Sequence, residues 1–90
     1  MKFIKSNALI GGSLMKNRVK EMRIQYGMTQ QKLAEEVNVS ARTIISLEKG
    51  QYKPSIMLAY RLAKRFEMSI ETLFCLEENR RLEDEAYEDL

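Results

Sequence analysis

The sequence predicts an all-α protein of five short helices around one core, with disordered or weakly helical ends. Three observations carry that expectation. Apolar residues recur at helical spacing in successive short segments, as in Leu33, Ala34 and Val37, and again in Ala59, Leu62, Ala63 and Phe66. A Ser or Thr precedes several of these segments as an N-cap, at Thr29, Ser40, Ser55 and Ser69. Gly27 and Gly50 stand where helices should stop.

The first helix is expected over about Met15–Tyr26, with Val19, Met22 and Tyr26 on one stripe. Arg23 sits beside that stripe and calls for an explanation. The second helix runs from about Gln30 to Val37, and its Ala34 must be small if the next helix is to cross it closely. Asn38 follows where the chain turns sharply, and Asn tolerates positive φ better than most residues that carry a side chain. The third helix, about Ala41–Lys49, turns Ile44 and Leu47 inward. Two helices joined in this way form a helix-turn-helix, whose second helix is shaped to enter the major groove of DNA. Pro54 and Ser55 open a fourth helix with Ile56, Ala59, Leu62, Ala63 and Phe66 as its buried stripe and Arg61, Lys64 and Arg65 on its solvated face. A last short helix brings Ile70, Leu73 and Phe74 to the core, and Met28, Met57 and Met68 read as gap-fillers.

The stretch RVKEMRIQYGMTQQKLAEEVNVSARTIISLEKGQYKPS, continued by SIETLF, resembles the Cro/lambda-repressor-like (XRE) helix-turn-helix DNA-binding domains over roughly residues 15–74. The marks are TQ opening the second helix, Ala34 inside it, VS before the third and ExG ending it. The resemblance implies a five-helix lambda-repressor-like domain that binds double-stranded DNA. It implies an ion pair between Arg23 and Glu48, places Ala41, Arg42 and Ser46 at base-facing positions and Thr43 on phosphate, and puts Gln30 at a position that contacts the DNA backbone with a base edge in reach. Gln31 stands near the positive end of the second helix as a supporting phosphate contact, and Tyr52 and Lys53 follow the reading helix where phosphates are expected. Arg42 is the strong reader, because its planar fork can bond guanine O6 and N7 together. Ala41 suits a thymine methyl, and Ser46 discriminates little. Ile45 departs from the polar residue usual in the family, and Glu67 replaces its usual glycine at a cost of about 1 kcal/mol if the backbone there is left-handed.

Charge is unevenly spread. Residues 15–66 hold eleven Lys/Arg against four Glu, whereas residues 67–90 hold nine acids against two Arg. A basic body is the electrostatic footprint of a nucleic-acid binder. The acidic tail, residues 75–90, repeats Leu82, Ala86 and Leu90 every four residues. Three readings of it stand open: a frayed helix, a partner-binding element, or negative charge competing with DNA for the basic body. Residues 1–14 lack helical periodicity, and Gly-Gly-Ser-Leu-Met back-translates to a ribosome-binding site, a spacer and a start codon. Translation is therefore expected to start at Met15, with residues 1–14 a non-native extension or a flexible arm. An arm touching DNA through Lys2 and Lys5 is the other reading.

With no His and one Cys, the chain has almost no material for a zinc site or His-based catalysis, and no enzyme activity, metal or cofactor is expected. A lone Cys75 fits a reducing cytoplasm, and no apolar run approaches the roughly 18 residues of a membrane span. The expected function is a sequence-specific transcriptional regulator, a repressor acting as a homodimer on a near-palindromic operator. The alternative is an antitoxin or phage-type interaction protein whose C-terminal tail binds a protein partner.

Overall fold

The structure, a computed structural model, describes residues 14–86, so the expectations for residues 1–13 and for Leu90 lie outside the described residues. Among the described residues there are six helices and no strand: α1 (Val19–Gln25), α2 (Gln30–Glu36), α3 (Ala41–Glu48), α4 (Ile56–Arg65), α5 (Ile70–Leu73) and α6 (Leu76–Ala86). Four of them start on a hydroxyl. Thr29, Ser40, Ser55 and Ser69 lie in extended backbone, and their side chains accept the N–H of Lys32, Thr43, Leu58 and Thr72. Each bond takes up a first-turn N–H that has no carbonyl four residues earlier within the helix; that of Thr43 is shared with the Ser40 carbonyl.

The turns use left-handed backbone at Gly27, Asn38, Gly50, Glu67 and Cys75. Gly50 has a second reason to be glycine: its φ is +78°, and a Cβ there would lie 2.8 Å from the carbonyl oxygen of Met15. The core that these turns close is formed by Val19, Leu33, Ile44, Leu47, Leu62 and Leu73, all at 0% exposure, with Phe66 and Phe74 beside them. Ala34 is buried where α2 packs across α3, which holds the two helices at close range.

Several expectations change. The first helix begins at Val19, because Asn17 Oδ1 accepts the Val19 N–H at 3.0 Å and closes an extended lead before it. That lead is pinned by backbone bonds from Met15 N–H to the Gly50 carbonyl (2.7 Å) and from Arg18 N–H to the Leu73 carbonyl (2.8 Å). Ile56 is 77% exposed and does not join the α4 stripe; it stands in the first turn at the stripe's edge, and Leu58 is buried instead. Met57 is also exposed and fills no gap. Arg65 is not merely solvated: it pairs with Glu36 on α2 and lies 5.4 Å from the centre of the Tyr26 ring.

The acidic segment forms α6, packed beside α5. Asn79 is its one buried side chain. Its Oδ1 accepts the Lys16 N–H at 3.0 Å, and its Nδ2 donates to the carbonyls of Lys16 (2.8 Å) and Phe74 (2.7 Å). These bonds tie α6 to the lead that itself holds the end of α3.

Candidate nucleic-acid interface

The interface is built on α3 and its two flanks. Ile44 and Leu47 anchor α3 in the core, which leaves Arg42, Ile45 and Lys49 exposed and Ser46 half-buried on its remaining surface. Arg42 takes part in none of the ion pairs among the described residues, so its five donors stay free for a ligand. Ala41 is half-buried and packs against the core. Thr43 lies one turn from the cap: its N–H donates to Ser40 Oγ, and the two hydroxyls are 3.2 Å apart.

The C-terminal end of α3 is locked to α1 and α2 through Glu48. Arg23 Nε donates to Glu48 Oε2 at 2.6 Å and Arg23 Nη2 to Oε1 at 3.2 Å, while Arg23 Nη1 reaches the Met28 carbonyl at 2.9 Å. Gln30 Nε2 also donates to Glu48 Oε1, at 3.0 Å. This bond uses one of the two Nε2 hydrogens and leaves the carbonyl oxygen and the second N–H for another partner. Gln31 Nε2 bonds Glu35 one turn along the exposed face of α2. Asn17, which no sequence signal assigned to the interface, donates from Nδ2 to the Leu47 carbonyl at 2.9 Å, a second bond to a C-terminal carbonyl of α3 that also accepts the Gly50 N–H at 2.9 Å. A capping-type Asn just before a helix was the available hint.

Tyr52 and Lys53 are exposed on the loop after α3. Lys53 Nζ bonds Glu83 Oε2 on α6 at 2.9 Å, so one candidate phosphate contact already holds a carboxylate. The structure thus gathers Gln30, Arg23 and Glu48 into one network and leaves Arg42 and Ser46 on α3, outside it. It sets Lys53 apart from them against α6. No group of three His, Cys, Asp or Glu side chains converges as a metal cage among the described residues. No helix among them is long and apolar enough to cross a membrane.

Comparison with known proteins converges on the same segment. A helix-turn-helix family model matches residues 19–73. The chain is 48% identical over 64 residues to the uncharacterized HTH-type transcriptional regulator YgzD of Bacillus subtilis, a match covering 71% of this chain and 97% of that one. An uncharacterized HTH-type transcriptional regulator of Archaeoglobus fulgidus is also 48% identical over 64 residues, with 71% and 91% covered. The regulator MJ0272 of Methanocaldococcus jannaschii is 45% identical over 65 residues, covering 72% of this chain and 98% of its own.

Proposed function

The chain belongs to the XRE-type helix-turn-helix family, and from that premise we propose that it is a DNA-binding transcriptional regulator that represses promoters by occupying them. The observation that carries this reading is Arg42, exposed and unpaired among the described residues on a helix whose opposite face is locked into the core. Arg42 reads guanine bidentately, Ser46 and Ala41 give weaker base contacts, and Gln30 contributes its free carbonyl oxygen. Thr43, Gln31, Tyr52 and Lys53 hold phosphates and set register without reading sequence.

One such unit reads only a few base pairs, so the working form is a homodimer on a near-palindromic operator in the cytoplasm. No chemistry is performed and no cofactor is needed. The test is fluorescence anisotropy of the full chain on the DNA upstream of its own gene and on a scrambled duplex, at two salt concentrations. Tight, salt-sensitive binding that prefers the upstream DNA supports the reading. If a selection from random DNA also recovers no preferred site, it fails.

The second reading, a protein-binding tail, draws on Leu82, which is 48% exposed among the acids of α6. A partner that co-purifies with the chain and is lost with Leu82→Glu would favour it.

A further inference from the structure

Resting on the DNA-binding reading above, we propose that α6 is an intramolecular competitor for DNA phosphate, with Glu83 occupying the Lys53 ammonium that the duplex would take. Three observations on different parts of α6 support it. The first is the contact itself, Lys53 Nζ to Glu83 Oε2 at 2.9 Å, on the loop that follows the reading helix. The second is the net charge of residues 76–86, in which five acids stand against Arg80 and Arg81. Arg80 is already bound by Glu77 and Asp84 at 2.6 Å each, which turns its charge back onto its own helix.

The third observation is how α6 is held. Asn79 is its one buried side chain, and the other ties to the body include the Lys16–Glu78 and Lys53–Glu83 ion pairs. Between α6 and the body lies a cleft of about 290 Å³, lined by Met15, Lys53, Pro54, Phe74, Asn79 and Glu83 among others. The leucines of α6 itself, Leu76 and Leu82, are already 38% and 48% exposed, so neither is buried in the core. Release of α6 breaks the three Asn79 hydrogen bonds and the two exposed ion pairs.

A phosphate approaching Lys53 must displace Glu83 and then lies beside the carboxylates of α6. Both partners of that pair are more than half exposed, so salt screens the contact and the competition is modest. By linkage, whatever favours the released helix strengthens DNA binding, and DNA in turn favours the released helix.

The test is anisotropy on a duplex of fixed sequence at low salt, with the full-length chain and four variants. Glu83→Gln is expected to tighten binding by about twofold to fivefold, the range of one exposed ion pair. Glu85→Gln removes the same charge from the far side of α6 and is expected to change affinity less. In a Lys53→Ala background, adding Glu83→Gln is expected to give no gain. Equal gains from Glu83→Gln and Glu85→Gln overturn the proposal, because net charge alone would then explain them. So does a gain that persists without Lys53, or no gain at all. If neither the wild-type chain nor the variants bind any duplex, the DNA-binding reading falls and the competitor falls with it.

Discussion

Arg23 and Glu48 lie 25 residues apart and meet through two hydrogen bonds, at 2.6 and 3.2 Å, with side chains only 12% and 4% exposed. The pair joins α1 to the last residue of α3. Because water is largely excluded, removing one partner leaves a buried charge answered only by a neutral group, the Gln30 amide for Glu48 or the Met28 carbonyl for Arg23. Arg23→Ala or Glu48→Ala is expected to cost about 3–5 kcal/mol, whereas the double variant Arg23→Met, Glu48→Leu should recover most of that loss. Urea unfolding of the three variants measures this; equal loss in the double variant would mean the pair contributes net stability beyond mutual neutralisation.

Arg42 and Lys53 should separate reading from holding. Arg42→Ala is expected to lose about 1–3 kcal/mol on the preferred site and to relax one base position. Lys53→Ala should weaken all duplexes nearly alike and flatten the salt dependence by about one unit. Binding isotherms on preferred and scrambled DNA at several salt concentrations distinguish the two. If both variants lost only non-specific affinity, α3 would not be the reader.

Three left-handed positions carry different costs. Gly27 has φ +66° and nothing within 4 Å of a built Cβ, so Gly27→Ala should cost about 1 kcal/mol from backbone strain alone. Gly50→Ala adds a contact of 2.8 Å with the Met15 carbonyl oxygen, and about 2–4 kcal/mol is expected. Glu67 already bears the strain at φ +52°, so Glu67→Gly should stabilise the fold by about 0.5–1 kcal/mol. Shifts in the urea midpoint at constant slope give all three.

Acid should loosen the surface that joins α2 to α4. A hydrogen bond from Arg65, with its charge, holds the Glu36 carboxyl below its ordinary value of 4.5, and Lys32 adds to the effect. Arg18 does the same to Glu21, and Arg80 to Glu77. A depressed folded-state value means that the stabilisation is fully present above the ordinary value and is lost as pH falls through the lower folded one. Tm should therefore drop as pH falls below 4.5, and the gap between wild type and Arg65→Met should narrow across that window. A gap that stays constant with pH would show that Arg65 stabilises instead through the Tyr26 ring and the Met28 sulfur, 3.6 Å from its Nη2.

The helices α2 and α3, their caps, the Asn38 turn and the inward Ile44 and Leu47 were legible in the chain because they are local. A cap needs a hydroxyl three residues from the N–H it accepts, and a helical stripe repeats within a few residues. The family, too, was readable from marks confined to one continuous stretch.

What depended on distant residues meeting was not legible. The pinning of the lead before α1 by the Gly50 and Leu73 carbonyls, the exposure of Ile56 and the capture of Arg65 by Glu36 follow from which element lies over which residue. Asn79 reads as one polar residue among charges, yet the fold brings it to Lys16, 63 positions away. Gly50 shows both levels at once: its left-handed turn belongs to the local sequence, whereas the Met15 backbone lying against its missing side chain exists only in the folded chain. Local pattern determined the helices and the reading face; tertiary packing decided that the acidic tail becomes α6 and lies against Lys53.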